Sequence, residues 1–432
     1  MIDLSLSSIR VHPRPSAVKS PPAHPLGLYV HIPFCVRKCY YCDFASGPAP
    51  AQIREQYVDA LVEEIRQSAW RGAEARTVFF GGGTPSELNS DQLRRITQAL
   101  REAFRFVPAD PEETASHSLP LSHSPTLPFR TPHSALRTPE WTIECNPGTV
   151  TVQSLAAMRE MGFNRLSLGV QSFHDHHLKA LGRIHTAGEV AEAVSAARHA
   201  GFRRLNLDLI FCLPGQTLAE WRQDVERALE LAPEHLSLYN LTIEEETEFG
   251  RRHRLGQLAL PDDDLSADMY EWVIDRMAAA GFVLYEVSNF ARPGEECLHN
   301  RIYWRQEPSL GFGLSAASYV DGCRWASTRS MQRYLATSGR ESGPERQYEE
   351  RLPPLAACGE TVMLGLRTAE GVDLSRVAAR YGIDPEPVYG HTVERLVADG
   401  LLLRCTERLK LTRRGIMLAD AVCAEFLQGD LE

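Results

Sequence analysis

Three cysteines, Cys35, Cys39 and Cys42, follow directly on a short apolar run at residues 28–32. That placement constrains the chain more than any other feature of it. An apolar run of this length reads as a buried strand. Thiolates crowded on the loop after it are metal ligands, redox partners or a coincidence. A redox pair of Cys39 and Cys42 leaves Cys35 unexplained. A structural zinc site normally takes four protein ligands, and no fourth cysteine stands nearby. Three thiolates suit a [4Fe–4S] cluster with one iron left open to another ligand. On spacing alone zinc stays an alternative.

The periodicity beyond the loop alternates. Residues 51–70 carry Ile53, Tyr57, Leu61 and Ile65 at helical spacing. A β-type run at 77–80 follows, and Ser90 reads as the N-cap of a helix with Leu93, Ile96, Leu100 and Phe104. Further strand-like runs lie at 141–145, 165–170, 205–211, 235–241 and 283–287. Thr217 and Glu220 form a capping-box pattern before one of the helices between them. Alternating strands and helices predict an α/β fold with a parallel sheet covered by helices. Polar and glycine-rich residues follow several strands, where such folds build their sites.

Composition marks the boundaries. Residues 1–26 are rich in Pro and Ser and read as a disordered leader, with no apolar signal segment. Residues 27–336 hold the strand–helix pattern. Within them 108–139, dense in Pro, Ser, Thr and His, reads as an inserted mobile loop. Residues 337–354 read as a linker. Residues 355–428 read as a compact winged-helix-like domain, with helices at 361–366, 374–381 and 388–396 and a hairpin of 401–404 with 408–411 around Thr406 and Glu407. The formal net charge of −10 argues against nucleic acid as a partner, so this last domain reads as a cover for substrate or partner. No apolar run reaches the roughly 18–20 residues of a membrane span, and a cytoplasmic location is the expectation. The other seven cysteines read as buried or partly buried free thiols.

Several short motifs stand in order along the chain. They are YVHIPFC, then Gly81-Gly82-Gly83-Thr84-Pro85-Ser86, then Glu144 in ECNPG and Gln171 in LGVQSF. Arg183 in LGRIH and Asp208 in NLDLIFCLPGQT complete the series. Taken singly, each polar residue is as well explained as a cap or an ion pair. Together they resemble the radical S-adenosylmethionine (SAM) superfamily, whose cluster loop reads C-x₃-C-x-aromatic-C. Tyr41 supplies the aromatic. More narrowly, the chain resembles the oxygen-independent coproporphyrinogen III oxidase-like branch from about residue 28 to 427. The resemblance implies a partial (β/α)₆ TIM-type barrel with a small C-terminal helical domain. It implies a [4Fe–4S] cluster on Cys35, Cys39 and Cys42, with SAM on the open iron. In the family, the reduced cluster splits SAM to a 5′-deoxyadenosyl radical. Carried over by motif, Tyr29 lies beside SAM, Tyr41 near the cluster, and Gly82, Gly83 and Thr84 at the amino-acid end. Glu144 takes the ammonium, Arg183 the carboxylate and Asp208 the ribose, with Gln171 in the same set. Thr242, in YNLTIEEET, falls on the adenine side.

The branch holds two types. The oxidase, which converts propionates to vinyls, has a fourth loop cysteine where this chain has Phe44. The heme-chaperone (HemW) type lacks that cysteine and carries HNxxYW, matched here by His299-Asn300-Arg301-Ile302-Tyr303-Trp304. His299 is then the heme candidate; without the resemblance it reads as a hydrogen-bonded histidine of surface or core. One departure is Ala317, where chaperone sequences commonly have histidine. The resemblance implies heme as cargo and recipient hemoproteins, such as respiratory enzymes, as partners. It allows a dimer and transient contact with a membrane surface. The oxidase is the alternative reading. A cluster-sensing winged-helix regulator is the remote one, since it leaves the SAM motifs unused.

Overall fold

The computed structural model describes residues 22, 24–108, 138–340, 343–406 and 408–427. Most of the expected leader and most of the expected inserted loop lie outside the described residues, as does Glu407 of the expected turn.

The strand-like runs form β1 (Leu26–Ile32), β2 (Glu74–Gly82), β4 (Glu140–Cys145), β5 (Arg165–Gln171), β6 (Arg204–Phe211) and β7 (His235–Asn240), and a two-residue strand not foreseen, β3 (Arg105–Phe106), lies between β2 and β4 in the chain. All but the two-residue β3 lie side by side in chain order, and every pair of neighbours is parallel. The chain returns between them through helices such as Ala51–Arg66, Ser90–Ala103, Ala187–His199 and Leu218–Glu230. The Ser90–Ala103 helix is capped one residue earlier than expected. Asn89 accepts from Gln92 N at 2.9 Å, and Gln92 Oε1 accepts from Asn89 N, so the box needed an Asn–Gln pair rather than Ser90. The Thr217–Glu220 box is present.

The sheet grows at both edges. Antiparallel β8 (Val283–Glu286) and β9 (Asn289–Ala291) extend it past β7. On the other side β10 (Ser309–Phe312) joins β1, followed by β11 (Ala317–Val320), β12 (Cys323–Ser327) and β13 (Arg346–Arg351). The order runs from β13 to β8, and the sheet is not closed. Strand β13 corrects the expected linker at 337–354, part of which is ordered sheet. Its sequence, RQYEER, is charged as an edge strand should be, and for that reason reads as a linker.

Alternation along the parallel strands sorts the two faces. Leu28, Val30, Ile32, Val78, Phe80, Ile143, Leu166, Leu168 and Leu207 are fully buried and form the main core with the helices. The opposite face is polar. In register across it run Tyr29, Phe79, Thr142, Arg165 and Arg204, then Glu144, Ser167, Asn206 and His235. Buried polar groups need partners, and this face supplies them. Asn206 Nδ2 donates to Ser167 Oγ, Asp208 Oδ1 and Ser237 Oγ at 2.8, 2.7 and 2.9 Å. His235 bonds Asn206 Oδ1 and Tyr285 Oη at 2.7 and 2.8 Å. A Glu140–Arg204 ion pair of 3.0 Å closes one end.

A second core gathers Cys358, Val362, Leu366, Val377, Tyr389, Val393, Leu409 and Phe426. Around it stand helices Pro354–Leu366, Leu374–Tyr381 and Pro385–Ala398 and a small sheet of β14 (Val372–Asp373), β15 (Leu402–Cys405) and β16 (Arg408–Leu411). Three helices precede the β15–β16 hairpin, and β14 adds a third strand beside β16. Arg305 pairs with Glu370 at 3.0 Å, and Gln306 Nε2 donates to Glu360 Oε2 at 2.8 Å, joining the two cores. Of the seven scattered cysteines, Cys405 is exposed, which corrects its expected burial; the other six are buried free thiols. Among the described residues no helix is long and apolar enough to cross a membrane.

Candidate functional site

The cysteine loop leaves the C-terminal end of β1 and is fastened at both sides. Cys35 N donates to Gly47 O at 3.1 Å and Gly47 N to Pro33 O at 3.0 Å. Tyr40 N donates to Leu181 O at 3.0 Å. Arg37 holds the far wall, donating to Gly182 O at 2.7 Å and to Arg183 O at 2.7 Å. All three thiols are partly buried. Burial pushes the thiols of Cys35 and Cys42 above their ordinary pKa, which a bound metal cation would reverse. Phe44 lies at the rim, 62% exposed, with its ring in solvent.

Residues far apart in sequence meet this loop. Thr84 Oγ1 donates to Cys35 Sγ at 3.6 Å, and Arg183 Nη1 donates to Cys39 Sγ at 3.5 Å. Asn146 joins the two, giving Nδ2 to Thr84 Oγ1 at 3.0 Å and accepting from Arg183 Nη2 on Oδ1. Arg183 Nη2 also donates to Gly169 O at 2.6 Å. Gln171, at a bulge of β5 with φ of 68°, closes around the same glycine. The guanidinium is buried, and its Nε has no partner.

The glycine run passes under the loop. Gly83 N donates to Ile32 O at 2.8 Å and Thr84 N to Phe34 O at 2.7 Å. A Cβ on Gly83 would lie 2.7 Å from Phe34 O, and one on Gly82, at φ of 106°, would enter the His31 ring. Only glycine allows this approach. Gly82 N donates to Glu144 Oε2 at 3.2 Å. Burial and the nearby Asp208 push Glu144 up to about 8, against the Gly82 amide. Asp208 is itself raised, chiefly by burial, and accepts from Ser167 Oγ at 2.8 Å. The structure thus brings Cys35, Cys39, Cys42, Gly82, Gly83, Thr84, Glu144, Gln171, Arg183 and Asp208 to one end of the sheet.

The remaining candidates are placed differently. Tyr29 is on the polar face; its hydroxyl donates to His31 Nδ1 at 3.1 Å, while His31 Nε2 donates to Ala45 O at 3.1 Å. Tyr41 packs against Phe249, with ring centroids 6.5 Å apart. Thr242 is exposed in the loop after β7 and bonds none of the others. His299, on the short helix Leu298–Trp304, is 1% exposed. Its Nδ1 bonds Thr77 Oγ1 at 2.8 Å and its Nε2 bonds Tyr303 Oη at 2.9 Å. The ring stacks on Phe79, which stacks on Tyr29, at 5.2 and 6.3 Å between centroids. Burial lowers its pKa to about 3, so it is neutral. Ala317 is exposed in β11. Sequence reasoning missed Asn146, His31 and Arg37 as parts of the site. Asn146 stood two residues after Glu144 in a motif already singled out; Arg37 gave no signal.

These residues fit a thiolate-held cluster and a zwitterionic ligand beside it. Three partly buried thiols, the buried unpaired Arg183 Nε and a glycine cradle that a Cβ would fill carry that fit.

Comparison with known proteins agrees. The Radical SAM superfamily pattern matches residues 29–228, and the HemN C-terminal domain pattern matches 352–418. The heme chaperone HemW of Lactococcus lactis is 35% identical over 94% of this chain and 98% of its own. The heme chaperone HemW of Escherichia coli is 34% identical over 93% and 98%. Among solved structures, the coproporphyrinogen III oxidase HemN of Escherichia coli, a radical SAM enzyme, superposes with a TM-score of 0.76. It is 25% identical, over 95% of this chain and 91% of its own. Membership of the superfamily implies a [4Fe–4S] cluster and SAM as cofactors. The chain belongs to the HemW heme-chaperone family of radical SAM proteins.

Proposed function

We propose that this protein binds heme and delivers it to hemoproteins, and that it holds a [4Fe–4S] cluster on Cys35, Cys39 and Cys42 with SAM at the open iron. The observation that carries the reading is Phe44. It stands where the oxidase-type loop has its fourth cysteine, and its ring is turned to solvent. Similarity to HemW proteins along almost the whole chain supports the same choice.

Within the site, each residue has a role that its surroundings favour. Arg183 offers its bare Nε to the SAM carboxylate. Glu144 and Asp208, both raised by burial, await a cation and hydroxyls; the SAM ammonium lowers the cost of ionising Glu144. Gly82, Gly83 and Thr84 are assigned to the amino-acid end, Gln171 sits beside Gly169, Tyr29 and Tyr41 are assigned beside SAM and the cluster, and Thr242, exposed after β7, to the adenine side. The cluster and SAM together supply one-electron reductive cleavage when bound.

Heme is the cargo, and His299 is its proposed axial ligand, since a neutral imidazole is a competent donor to heme iron. The resting structure keeps this nitrogen bonded to Tyr303, which is 40% exposed. Outward rotation of Tyr303 frees Nε2 for the iron. The test is anaerobic cluster reconstitution followed by heme titration of wild type and His299→Ala. Stoichiometric heme uptake that weakens in the variant supports the reading. Cluster formation without heme uptake removes it and turns the assay to porphyrinogen decarboxylation.

A further inference from the structure

The sequence F-H-D-H-H after β5 places His174, His176 and His177 at the start of the helix Asp175–Leu181. None of them belongs to the site above. The helix Leu218–Glu230 presents Glu220 to the three rings. Ligand atoms of His174, His176 and Glu220 all lie within 4.8 Å of one another. His176 Nε2 is 3.2 Å from Glu220 Oε1, and His177 Nε2 is 3.7 Å from Oε2. An ion held tetrahedrally at about 2 Å from each donor sets the donors about 3.3 Å apart. His174, His176 and Glu220 form the grouped set, and His177 Nε2, 3.7 Å from Glu220 Oε2, is the candidate fourth donor.

A further observation points to a ligand here. His177 is 2% exposed, yet its Nε2 has no hydrogen-bond partner. A buried polar atom left bare costs about 1–3 kcal/mol, and this one faces the carboxylate and the other two rings. The carboxylate is also fixed in place. Its Oε2 accepts from Thr217 N at 2.9 Å and Oγ1 at 2.8 Å, which leaves Oε1 turned to His176. Partners of this kind orient metal-binding carboxylates. His174 Nε2 bonds the Glu220 backbone carbonyl at 3.2 Å and lies 3.8 Å from Asp224 Oδ1, so it is held beside the carboxylate by contacts an ion would replace. His176, 63% exposed, gives an ion a way in from solvent.

We propose that His174, His176, His177 and Glu220 form a site for a divalent transition-metal ion, best suited to zinc. Imidazole and carboxylate donors without thiolate fit zinc, whereas magnesium and calcium take oxygen ligands. The site has a structural consequence. The helix carrying the three histidines ends at Leu181 and Gly182, whose carbonyls hold Tyr40 N and Arg37 of the cysteine loop. A bound ion ties that helix to Leu218–Glu230 and stiffens the wall behind the loop.

The test uses the full chain with its cluster reconstituted, so that the loop cysteines are occupied. The protein is dialysed against Zn²⁺, zinc and iron per chain are measured, and the zinc X-ray absorption edge is recorded. The proposal expects one zinc per chain beyond the cluster iron, with nitrogen and oxygen neighbours at about 2.0 Å and no sulfur. His176→Ala and Glu220→Gln, which spare the buried His177, should each weaken zinc affinity roughly tenfold or more. Zinc in sulfur coordination, no zinc retained, or equal retention by both variants overturns it.

Discussion

Arg183 donates from Nη1 to Cys39 Sγ at 3.5 Å, although the two residues stand 144 positions apart. The same guanidinium bonds Asn146 and Gly169 and keeps its Nε bare. A buried cation beside thiolates offsets their negative charge and leaves one donor for an anionic ligand.

Arg183→Ala should therefore weaken SAM binding to the reconstituted protein by about 2 kcal/mol, roughly 30-fold in affinity. Arg183→Lys should recover only part of this, because an ammonium lacks the fork that reaches Asn146, Gly169 and Cys39 together. Equilibrium binding of SAM checks both, and equal affinity in all three proteins would contradict the assignment.

Tyr303 separates two accounts of His299. If the imidazole ligates heme only after its hydroxyl partner lets go, Tyr303→Phe removes a competing bond of about 1 kcal/mol and tightens heme binding several-fold. If His299 is only a core histidine, neither Tyr303→Phe nor His299→Ala changes heme affinity. Heme titration by absorbance reads the difference.

Gly83→Ala pushes a methyl into the backbone carbonyls of Phe34 and Ile32. Overpacking of this kind costs about 1–3 kcal/mol. The variant should unfold at lower urea and hold less iron after reconstitution. An unchanged midpoint with full iron content would mean that the cradle is looser than its contacts indicate.

Glu144 gives a pH dependence with a definite sign. Its carboxyl titrates near 4.5 when unfolded and is pushed up to about 8 in the fold by burial and Asp208. Between those values the unfolded chain has lost a proton that the folded chain keeps, so stability falls as pH rises through that window. Glu144→Gln should flatten this part of the curve for the ligand-free protein. Urea midpoints at about pH 5 and about pH 8 measure it, and an identical slope in the variant would contradict it.

Much of this was legible in the sequence, and the physical reasons differ by element. The parallel strands are buried on the helix side and rich in Leu, Val and Ile, so β1, β5 and β6 stand out as apolar runs. The motif residues fall at strand ends, so their order along the chain maps onto one end of the sheet. Strands β10 to β13, added beyond β1, did not read as strands. β13 is charged, and β10 to β12 are short and interrupted by turns such as Asp321-Gly322, both at positive φ. Arg37 was invisible because its partners are backbone carbonyls of Gly182 and Arg183, which no side-chain pattern reveals. His299 was flagged by motif, but its two hydrogen bonds depend on Thr77 and on the helix turn that brings Tyr303 back to it.

The central claim is delivery of heme rather than oxidation of a porphyrinogen. The most direct measurement loads the cluster-bearing protein with heme under anaerobic conditions, mixes it with an apo-hemoprotein, and follows heme transfer beside a parallel assay with coproporphyrinogen III, SAM and a reductant. The account predicts heme transfer and no vinyl product. Vinyl product without heme transfer would contradict it.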